Sequence, residues 1–437
     1  MMQSLQQFAR YEAYQDSGVA WVKQIPAHWS RHRLGDLCDF EQGKAHEPFI
    51  DDKGIHICVN SRFVSTRGET IKYSTRNLTP AKKNDILMVM SDLPNGRALA
   101  KAYLVKDDRQ YAVNQRVCRL TAKKAYFTYL YYLLDRHPDL LKHNDGSNQT
   151  HLTNANYLKL CVYLPPLAEQ TAIAHFLDQK TAEIDQAIAL KTDLIERLKE
   201  YKQVTIQHAV TRGLDPNTKM KASGVEWIGD IPEGWGVKLG FLVWHENKRN
   251  NIGMKENQVL SLSYGKIVVK PVEKLVGLVP ESFETYQIVE VGDIIIRCMD
   301  LQNDKTSLRI GIAEDRGIIT SAYLNLKVNQ AFCQKFIFYF LYSFDISKAI
   351  YKLGTGLRQN LSYLDFKRLK IVIPPLAEQA AIVAHIEAIS AKIDQATDQA
   401  QQQINTLTEY KTVLINAAVT GKIKVTDDSA QGTRHAQ

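Results

Sequence analysis

Hydrophobic residues recur every three to four positions along two long segments of this chain, and both segments begin with the same motif. The first begins at Leu164-Pro165-Pro166-Leu167-Ala168-Glu169-Gln170 and the second at Ile373-Pro374-Pro375-Leu376-Ala377-Glu378-Gln379. The offset of 209 residues holds to the far end, where Ala209-Val210-Thr211 matches Ala418-Val419-Thr420. A repeat of this length with unbroken register predicts a duplicated structural element.

Each segment is predicted to be a helix, because a proline pair suits the first helical turn and Glu169 and Glu378 complement the helix dipole. The 3-4 spacing over more than four heptads indicates a coiled coil, and the alternative is a long helix packed on its own domain. A rod of roughly 65 Å, at about 1.5 Å per residue, is longer than such a domain is wide, which favours the coiled coil. The residues assigned to the helix–helix interface are Ile173, Leu177, Ile184, Leu194, Leu198, Tyr201, Ile382, Ile386, Ile393, Leu407, Tyr410 and Leu414.

The segments outside the helices repeat more faintly. Gly18-Val19-Ala20-Trp21 returns as Gly224-Val225-Glu226-Trp227, and Asn84-Asp85-Ile86-Leu87-Met88 parallels Gly292-Asp293-Ile294-Ile295-Ile296, a turn leading into a buried strand. Runs of strand length, such as Ile371-Val372-Ile373, mix with helical ones, such as Phe127 to Leu134, so each domain is predicted to be α+β.

The predicted architecture is two α/β domains separated by two long antiparallel coiled-coil helices, with duplicated halves related by a pseudo-two-fold axis. This symmetry would bring Val419 close to the Trp21 region and Thr211 close to Trp227. The boundaries we assign are 1–164 for domain one, with 1–30 as an N-terminal segment; 165–211 for the central helix; 212–373 for domain two; 374–420 for the second helix; and 421–437 for a flexible tail.

Composition and charge narrow the class of protein. Of 437 residues, 45% are hydrophobic and 23% are charged, which is ordinary for a soluble protein, and we expect it in the cytoplasm because neither a membrane span nor a secretion signal is evident. Six scattered cysteines without a CxxC pair suggest neither a disulfide framework nor a zinc site. The net charge of +8 resides on residues 1–166 and 211–375, whereas both helical segments are slightly acidic. Such domains are suited to holding a polyanion.

No catalytic or metal site is predicted. The sequence contains no Gly-x-x-x-x-Gly-Lys-Ser/Thr phosphate loop and no Asn/Asp-Pro-Pro-Tyr/Phe motif of the kind that adenine methyltransferases use to hold a flipped base. Histidines and acidic residues show no metal-ligand spacing. We therefore expect chemistry to belong to other proteins.

This layout resembles the specificity subunit of type I restriction-modification enzymes. The resemblance covers nearly the whole chain, and its most specific parts are the doubled Pro-Pro-Leu-Ala-Glu-Gln helix start and the passage from Gly213 to Trp235. It implies a non-catalytic subunit with two target recognition domains, each reading one half of a bipartite sequence in double-stranded DNA. It also implies that the helices set the half-site spacing and dock two methyltransferase subunits, through which motor-nuclease subunits attach. S-adenosylmethionine, ATP and Mg²⁺ would then be bound by those partners, with no cofactor in this chain.

Polar loops ahead of each domain's last short helix, or between its strands, are the candidates for DNA contact. Arginine can bind guanine O6 and N7, asparagine or glutamine can bind adenine N6 and N7, and loop glycines allow the backbone to approach a phosphate. The alternative for any single residue is a solvated turn. The candidates are Arg97, Ser147, Asn148, Gln149, His151, Arg297, Asn303, Lys305, Arg358, Gln359 and Asn360.

Two other classes of protein stay open at this point. A coiled-coil scaffold without DNA affinity would explain the long helices, although it would leave the basic, looped domains unexplained. A self-contained restriction-modification enzyme would require cofactor motifs, which the chain lacks. Six further aromatic residues are predicted to pack helix against domain and not to stack on bases: Trp21, Trp29, Tyr201, Trp227, Trp235 and Tyr410.

Overall fold

The computed structural model describes residues 5–6, 8–19, 21–92, 97–144, 150–271, 282–299, 301, 307–353 and 360–425. The chain divides into two compact units, and each long helix contributes to both of them. Unit one comprises Met1–Lys191 and Gln402–Gln437, and unit two comprises Thr192–Gln401. Domain one therefore lies in unit one and domain two in unit two.

Unit one contains short helices and short strands around the start of the first long helix. Its helices are α1 (Leu34–Leu37), α2 (Ser61–Ser65), α3 (Phe127–Leu134), α4 (Pro138–Leu141), α5 (Asn154–Leu158) and the beginning of α6 (Leu167–Arg212). Its strands are β1 (Tyr14–Asp16), β2 (Gln24–Pro26), β3 (Ser30–Arg33), β4 (Cys38–Gln42), β5 (His56–Val59), β6 (Tyr73–Ser74), β7 (Pro80–Ala81), β8 (Ile86–Val89), β9 (Ser91–Asp92), β10 (Ala102–Leu104), β11 (Tyr111–Val113), β12 (Val117–Ala122), β13 (Thr150–His151) and β14 (Cys161–Leu164).

Two four-stranded sheets form the centre of unit one, in the orders β10-β8-β12-β4 and β6-β5-β11-β7. Strand β8 is buried at all four positions, so both of its faces are covered by core residues. The first sheet packs on α3, whose Tyr129 and Leu130 are fully buried. Ile86 and Met88 belong to the cluster that includes α3, whereas Leu87 and Val89 belong to a second cluster with β5 and β11, so β8 separates two hydrophobic clusters.

Unit two repeats the first of these two sheets. Its helices are α7 (Gly240–Val243), α8 (Gln334–Ile346), α9 (Tyr363–Lys367) and the beginning of α10 (Leu376–Val419). Its strands are β15 (Met220–Ala222), β16 (Asp230–Pro232), β17 (Gly236–Leu239), β18 (Trp244–Glu246), β19 (Leu260–Ser263), β20 (Lys266–Val269), β21 (Gln287–Val289), β22 (Ile294–Ile296), β23 (Ile310–Ile312), β24 (Gly317–Ile319), β25 (Leu324–Val328) and β26 (Lys370–Ile373). The sheet β18-β25-β22-β23 corresponds to β4-β12-β8-β10.

The predicted turns that lead into buried strands are confirmed. Asp85 accepts a hydrogen bond from the Lys82 amide at 2.9 Å ahead of β8, and Asp293 accepts one from the Glu290 amide at 3.0 Å ahead of β22. Both carboxylates are buried, so each needs these partners to offset its lost hydration. The α+β class predicted for each domain is likewise confirmed.

The long helices bury a stripe whose positions lie on average 3.6 residues apart, the period of a straight helix. A strict heptad has a period of 3.5 residues and drifts by about 20° per heptad against this stripe. Two interface assignments are therefore wrong: Leu194 is 42% exposed and Tyr201 is 57% exposed, so Tyr201 does not pack helix against domain. The buried or partly buried stripe positions of α6 are 173, 177, 181, 184, 188, 191, 195, 198, 202, 206 and 209.

The other interface assignments lie in buried or partly buried surroundings. Ile173, Leu177, Ile184 and Leu414 belong to the core of unit one, with Leu407 and Tyr410 packed against it. Ile382 and Ile386 belong to the core of unit two, Ile393 is buried and Leu198 is partly buried.

The helices run antiparallel, as predicted, because in each unit the early part of one helix meets the late part of the other. In unit one, Lys411 Nζ lies 2.5 Å from Asp185 Oδ2, and in unit two Lys202 Nζ lies 2.8 Å from Asp394 Oδ1. Both residue types recur at the 209-residue offset, so the two ion pairs are duplicates of one another.

The end of α10 lies beside the N-terminal segment of unit one, also as predicted. Tyr14 donates to the Gly421 carbonyl at 3.1 Å, and Gly421 packs on Pro26 and Trp29 with a φ of +70°, a conformation that favours glycine. Ile423 is 2% exposed, so residues 421–425 are folded and their assignment to a flexible tail is wrong. The rest of that predicted tail, 426–437, lies outside the described residues.

Candidate nucleic-acid interface

In unit one, a short strand pair joins the residues before the first predicted DNA-contacting loop to those after the second. Strand β13 pairs antiparallel with β9, and just beyond this pair the Leu152 amide donates to the Met90 carbonyl at 2.8 Å. Arg97, which follows the first loop, and His151, which closes the second, are both exposed. The strands that flank the two predicted loops are therefore joined, although they lie more than fifty residues apart in the sequence.

Unit two has the same arrangement at the equivalent place. The Leu361 amide donates to the Cys298 carbonyl at 2.9 Å, which joins the end of β22 to the segment ahead of α9. Arg297 is partly buried next to this contact and Asn360 is exposed. Both units thus present one arginine and one other polar residue where two separate segments meet.

The remaining candidates fall outside the described residues, so their predicted role stays a prediction. They are Ser147, Asn148, Gln149, Asn303, Lys305, Arg358 and Gln359.

Two arginines that the sequence did not single out hold the backbone of these segments. In unit one, Arg136 Nη1 donates to the carbonyls of Arg97 and Leu99 at 2.9 and 3.2 Å. In unit two, Arg309 Nη1 donates to the carbonyl of Met299 at 2.7 Å and lies 3.4 Å from that of Arg297. No local motif distinguishes these arginines from the other basic residues, and only their contacts identify them.

Buried polar networks support the strands that carry the segments. Asp293 accepts hydrogen bonds from Asn247 Nδ2 at 2.9 Å and Asn325 Nδ2 at 3.2 Å, which connects β22 to β25 and to the residue after β18. In unit one, Thr121 Oγ1 donates to Asp85 Oδ1 at 2.6 Å. These buried hydrogen bonds connect neighbouring strands and thereby restrain the strands from which the candidate segments start.

The motif glutamines tie the long helices to the helix that packs beneath these sheets. Gln170 Oε1 accepts from the Tyr126 amide at 2.9 Å, and its Nε2 donates to the Pro165 carbonyl at 2.8 Å. Gln379 repeats both bonds at 2.9 Å, with the Cys333 amide and the Pro374 carbonyl. Tyr126 and Cys333 are the N-cap residues of α3 and α8, so each glutamine satisfies an amide there. Their exact duplication was the sequence signal for this role.

Glu169 of the same motif binds the N-terminal segment of unit one. Its carboxylate accepts from Tyr11 Oη at 2.6 Å and from Trp29 Nε1 at 3.1 Å, and it lies 2.7 Å from His28 Nε2. Burial and this carboxylate raise the pKa of Tyr11 well above its ordinary value, so the hydroxyl stays protonated and keeps donating. Trp29 is buried, as is its counterpart Trp235, in agreement with the predicted packing role.

Across the described ranges, no group of three or more His, Cys, Asp and Glu side chains is placed to hold a metal ion. Among the same residues, no helix combines the length and the apolar character needed to cross a membrane. The described cysteines are all free thiols, and burial raises the pKa of Cys58 to about 11 and that of Cys298 to about 12.

Comparison with known proteins identifies the family. The family described as "Type I restriction modification DNA specificity domain" matches residues 26–200 and 280–406. A putative type I restriction enzyme MjaX specificity subunit from Methanocaldococcus jannaschii is 24% identical over 96% of this chain and 99% of its own length. The type I restriction enzyme EcoBI specificity subunit of Escherichia coli is also 24% identical, over 68% of this chain and 67% of its own.

A solved chain shares the fold. It comes from work on complex assembly and conformational transition of the type I R-M system, and superposes with a TM-score of 0.66 at 14% identity over 91% of this chain and 99% of that one. Since the two family matches together span more than half of its residues, the chain belongs to the type I restriction-modification DNA specificity family.

Proposed function

We propose that this type I specificity subunit reads a bipartite DNA target, one half-site through the paired loops of each unit. The observation that carries the proposal is the repetition of one surface: in both units a backbone hydrogen bond joins two polar segments, at Met90 and Leu152 in unit one and at Cys298 and Leu361 in unit two. Two copies of one reading surface in one chain are suited to two separate half-sites.

The chemistry of the segments supports base reading. Arg97 and Arg297 carry forked donors that match guanine O6 and N7, and Asn360 carries the amide that matches adenine N6 and N7. The basic excess of the two globular segments supplies the attraction to phosphate that precedes specific contact. Contacts of this kind position the domain on DNA, and base-edge contacts then discriminate between sequences.

The long helices, we propose, set the spacing between half-sites and dock two methyltransferase subunits. The faces opposite the buried stripe are exposed, with Glu196 and Lys199 on α6 and Asn405, Thr408 and Thr412 on α10. Polar faces next to exposed Leu194 and Tyr201 are suited to helix-to-helix association. Charge reversal at Glu196 and Lys199 should abolish co-purification with the methyltransferase, and assembly that survived it would place the docking surface elsewhere.

In this proposal the chain performs no catalysis. Methyltransferase subunits would bind S-adenosylmethionine and modify adenine, and motor-nuclease subunits attached through them would use ATP and Mg²⁺. The complex would act in the cytoplasm, where its DNA is.

A domain exchange tests the two-reader proposal. Replacing residues 30–160 with the corresponding segment of a relative should change one half of the motif that the complex methylates, as measured by sequencing modified adenines. The matched exchange of residues 236–369, which begins at the equivalent strand and ends at the equivalent helix, should change the other half only. If either exchange rewrote both halves, or if the motif were one continuous block, the proposal would be wrong.

Binding of the purified chain to duplex DNA separates this proposal from a scaffold role. A DNA reader should lose affinity steeply between low and high salt, because each phosphate contact releases counterions. A scaffold would show no binding to random-sequence duplex at low salt in the same gel-shift assay.

A further inference from the structure

Arg309 is a buried arginine at the base of the unit two reading surface. It lies one residue before β23 and its side chain is fully buried. Taking a guanidinium out of water is costly unless its donors are satisfied and its charge is compensated. The contacts of the side chain show how its donors are satisfied.

The guanidinium holds two segments at once. Nη1 donates to the Met299 carbonyl at 2.7 Å and approaches the Arg297 carbonyl at 3.4 Å, while Nε lies 3.4 Å from Tyr351 Oη. The Tyr351 ring also lies beneath the charge, with its centroid 5.6 Å from Cζ. One side chain therefore connects the end of β22 to the 3-10 turn Ala349–Lys352 that follows α8.

The backbone of Arg309 is fixed as well. Its amide donates to Asp345 Oδ2 at 2.6 Å, and its carbonyl accepts from the Arg297 amide at 2.9 Å. Asp345 lies on α8 and is 1% exposed, so the contact is anchored in the core. Asp345 of α8 thus fixes the backbone of Arg309, and the Arg309 side chain in turn binds the carbonyls of Arg297 and Met299.

In unit one, an arginine at a different position in the chain makes an equivalent contact. Arg136 follows α3 and holds the carbonyls of Arg97 and Leu99, whereas the residue in the position of Arg309 ahead of the matching strand is Lys101. The contact was therefore not simply copied with the duplication. Its recurrence argues that an arginine is needed to hold the backbone at this point.

We propose that Arg309 is a positioning residue for DNA specificity: it sets the placement of Arg297 and, through the Cys298–Leu361 hydrogen bond, of Asn360, and thereby fixes discrimination at the half-site of unit two. The inference rests on the proposed bipartite reading. A planar fork is required because one nitrogen must reach two carbonyls while another faces Tyr351, which a lysine ammonium cannot reproduce.

The test is Arg309→Lys in the assembled complex, with Arg316→Lys as the matched control. Arg316 also lies in unit two, but it is half-exposed and paired with Glu256 and Glu290. Affinity is measured for the cognate duplex and for duplexes altered in one half-site at a time, after the domain exchange has assigned the halves. Arg309→Lys should reduce discrimination at the unit two half-site by about 5- to 150-fold, the range for one bidentate base contact, and leave the other half-site unchanged.

The outcomes separate the two claims. A wild-type complex without bipartite discrimination would refute the proposed function, whereas wild-type discrimination that Arg309→Lys leaves intact would refute the role of Arg309 alone. Equal loss at both half-sites would indicate a general structural effect and would also overturn it. If Arg309→Lys does not fold, Tyr351→Phe is the alternative test, because it removes the hydroxyl that faces Nε. This variant should show a smaller loss of discrimination, confined to the unit two half-site. Unchanged discrimination in it would contradict the proposal.

Discussion

At the scale of single residues, His137 is a base buried in the core of unit one. It is 2% exposed, its ring meets Trp21 edge-on at 5.1 Å, and its Nδ1 accepts from the Asp139 amide at 3.2 Å. Burial lowers the pKa of His137 to about 4, while Asp139 acts weakly in the opposite direction and Lys142 adds to the lowering. The ring is therefore neutral in the folded protein at physiological pH, as its role as an acceptor requires.

This histidine predicts an acid sensitivity of unit one. Below about pH 6.5 His137 is protonated in the unfolded chain, whereas in the folded chain it stays neutral down to about pH 4. The free energy of unfolding therefore falls as the pH is lowered from about 6.5 to about 4. The loss from this group amounts to about 3 kcal/mol, and it is complete below pH 4. His137→Gln should flatten this part of the curve in urea titrations between pH 7 and pH 4. The exposed His143→Gln is the control, and an unchanged slope in the His137 variant would contradict the prediction.

The sequence indicated candidate DNA-contacting residues, but not how the segments that carry them are held. Arg97, His151, Arg297 and Asn360 were singled out by residue type and loop position, and backbone hydrogen bonds join the segments that carry them. Arg136 and Arg309 were missed because their role depends on contacts with residues 10 to 39 positions away, and neither arginine lies in a sequence motif that distinguishes it from other arginines.

At the scale of elements, the long helices were the most predictable part of the chain. The helix observed over Leu167–Arg212 follows from its proline start and its apolar period. The period was assigned as 3.5 and is nearer 3.6, which over four heptads moves the stripe by about one residue. This is why Ile195 is buried while Leu194 is exposed. A difference of 0.1 residue per turn is too small to distinguish over one short helix.

Within the stripe, Lys202 is a charged residue where an apolar one would be expected. It is partly buried, and its Nζ lies 2.8 Å from both carboxylate oxygens of Asp394 on the other helix. A polar residue in a helix interface favours the one register that gives it a partner. The duplicated pair Lys411–Asp185 has the same effect in unit one.

Charge reversal tests this register role. Lys202→Asp alone should lower the free energy of unfolding by about 1 kcal/mol, because it places two carboxylates together, with solvent screening limiting the effect at the exposed Asp394. The double variant Lys202→Asp with Asp394→Lys should regain most of that loss. Urea unfolding of the single and double variants measures the coupling, and the same pair of changes at Lys411 and Asp185 is the matched set. Simple additivity of the two single effects would show that the pair contributes nothing to register.

At the scale of the whole molecule, duplication is the feature that connects sequence to function. Equivalent sheets, glutamine contacts and ion pairs recur in both units, so the sequence repeat reports a structural repeat down to single hydrogen bonds. The two units also diverge within this common frame: where β3 and α1 of unit one carry Arg31, Arg33 and Asp36, the matching positions of unit two are Val237, Leu239 and Leu242. Such divergence is expected if the framework is shared and each unit serves its own half-site.

If the long helices set the half-site spacing, as proposed, a change in their length should change the gap between the half-sites. Asp185 and Lys202 on α6, and Asp394 and Lys411 on α10, bracket the stretches 186–201 and 395–410, so a deletion inside both stretches preserves both ion pairs. Seven residues turn the helix by nearly two full turns, which leaves the buried stripe within about 20° of its place and shortens each helix by about 10 Å. Because B-DNA rises about 34 Å per ten base pairs, the gap between half-sites should shorten by about three base pairs. Deleting residues 190–196 together with 400–406 should therefore shorten the spacer in the methylated motif while both half-sites keep their sequence.

The control is a deletion of four residues from each helix, which would rotate the buried stripe by about 40° and should weaken assembly. A motif with altered half-sites and an unchanged gap would mean that the helices do not set the spacing.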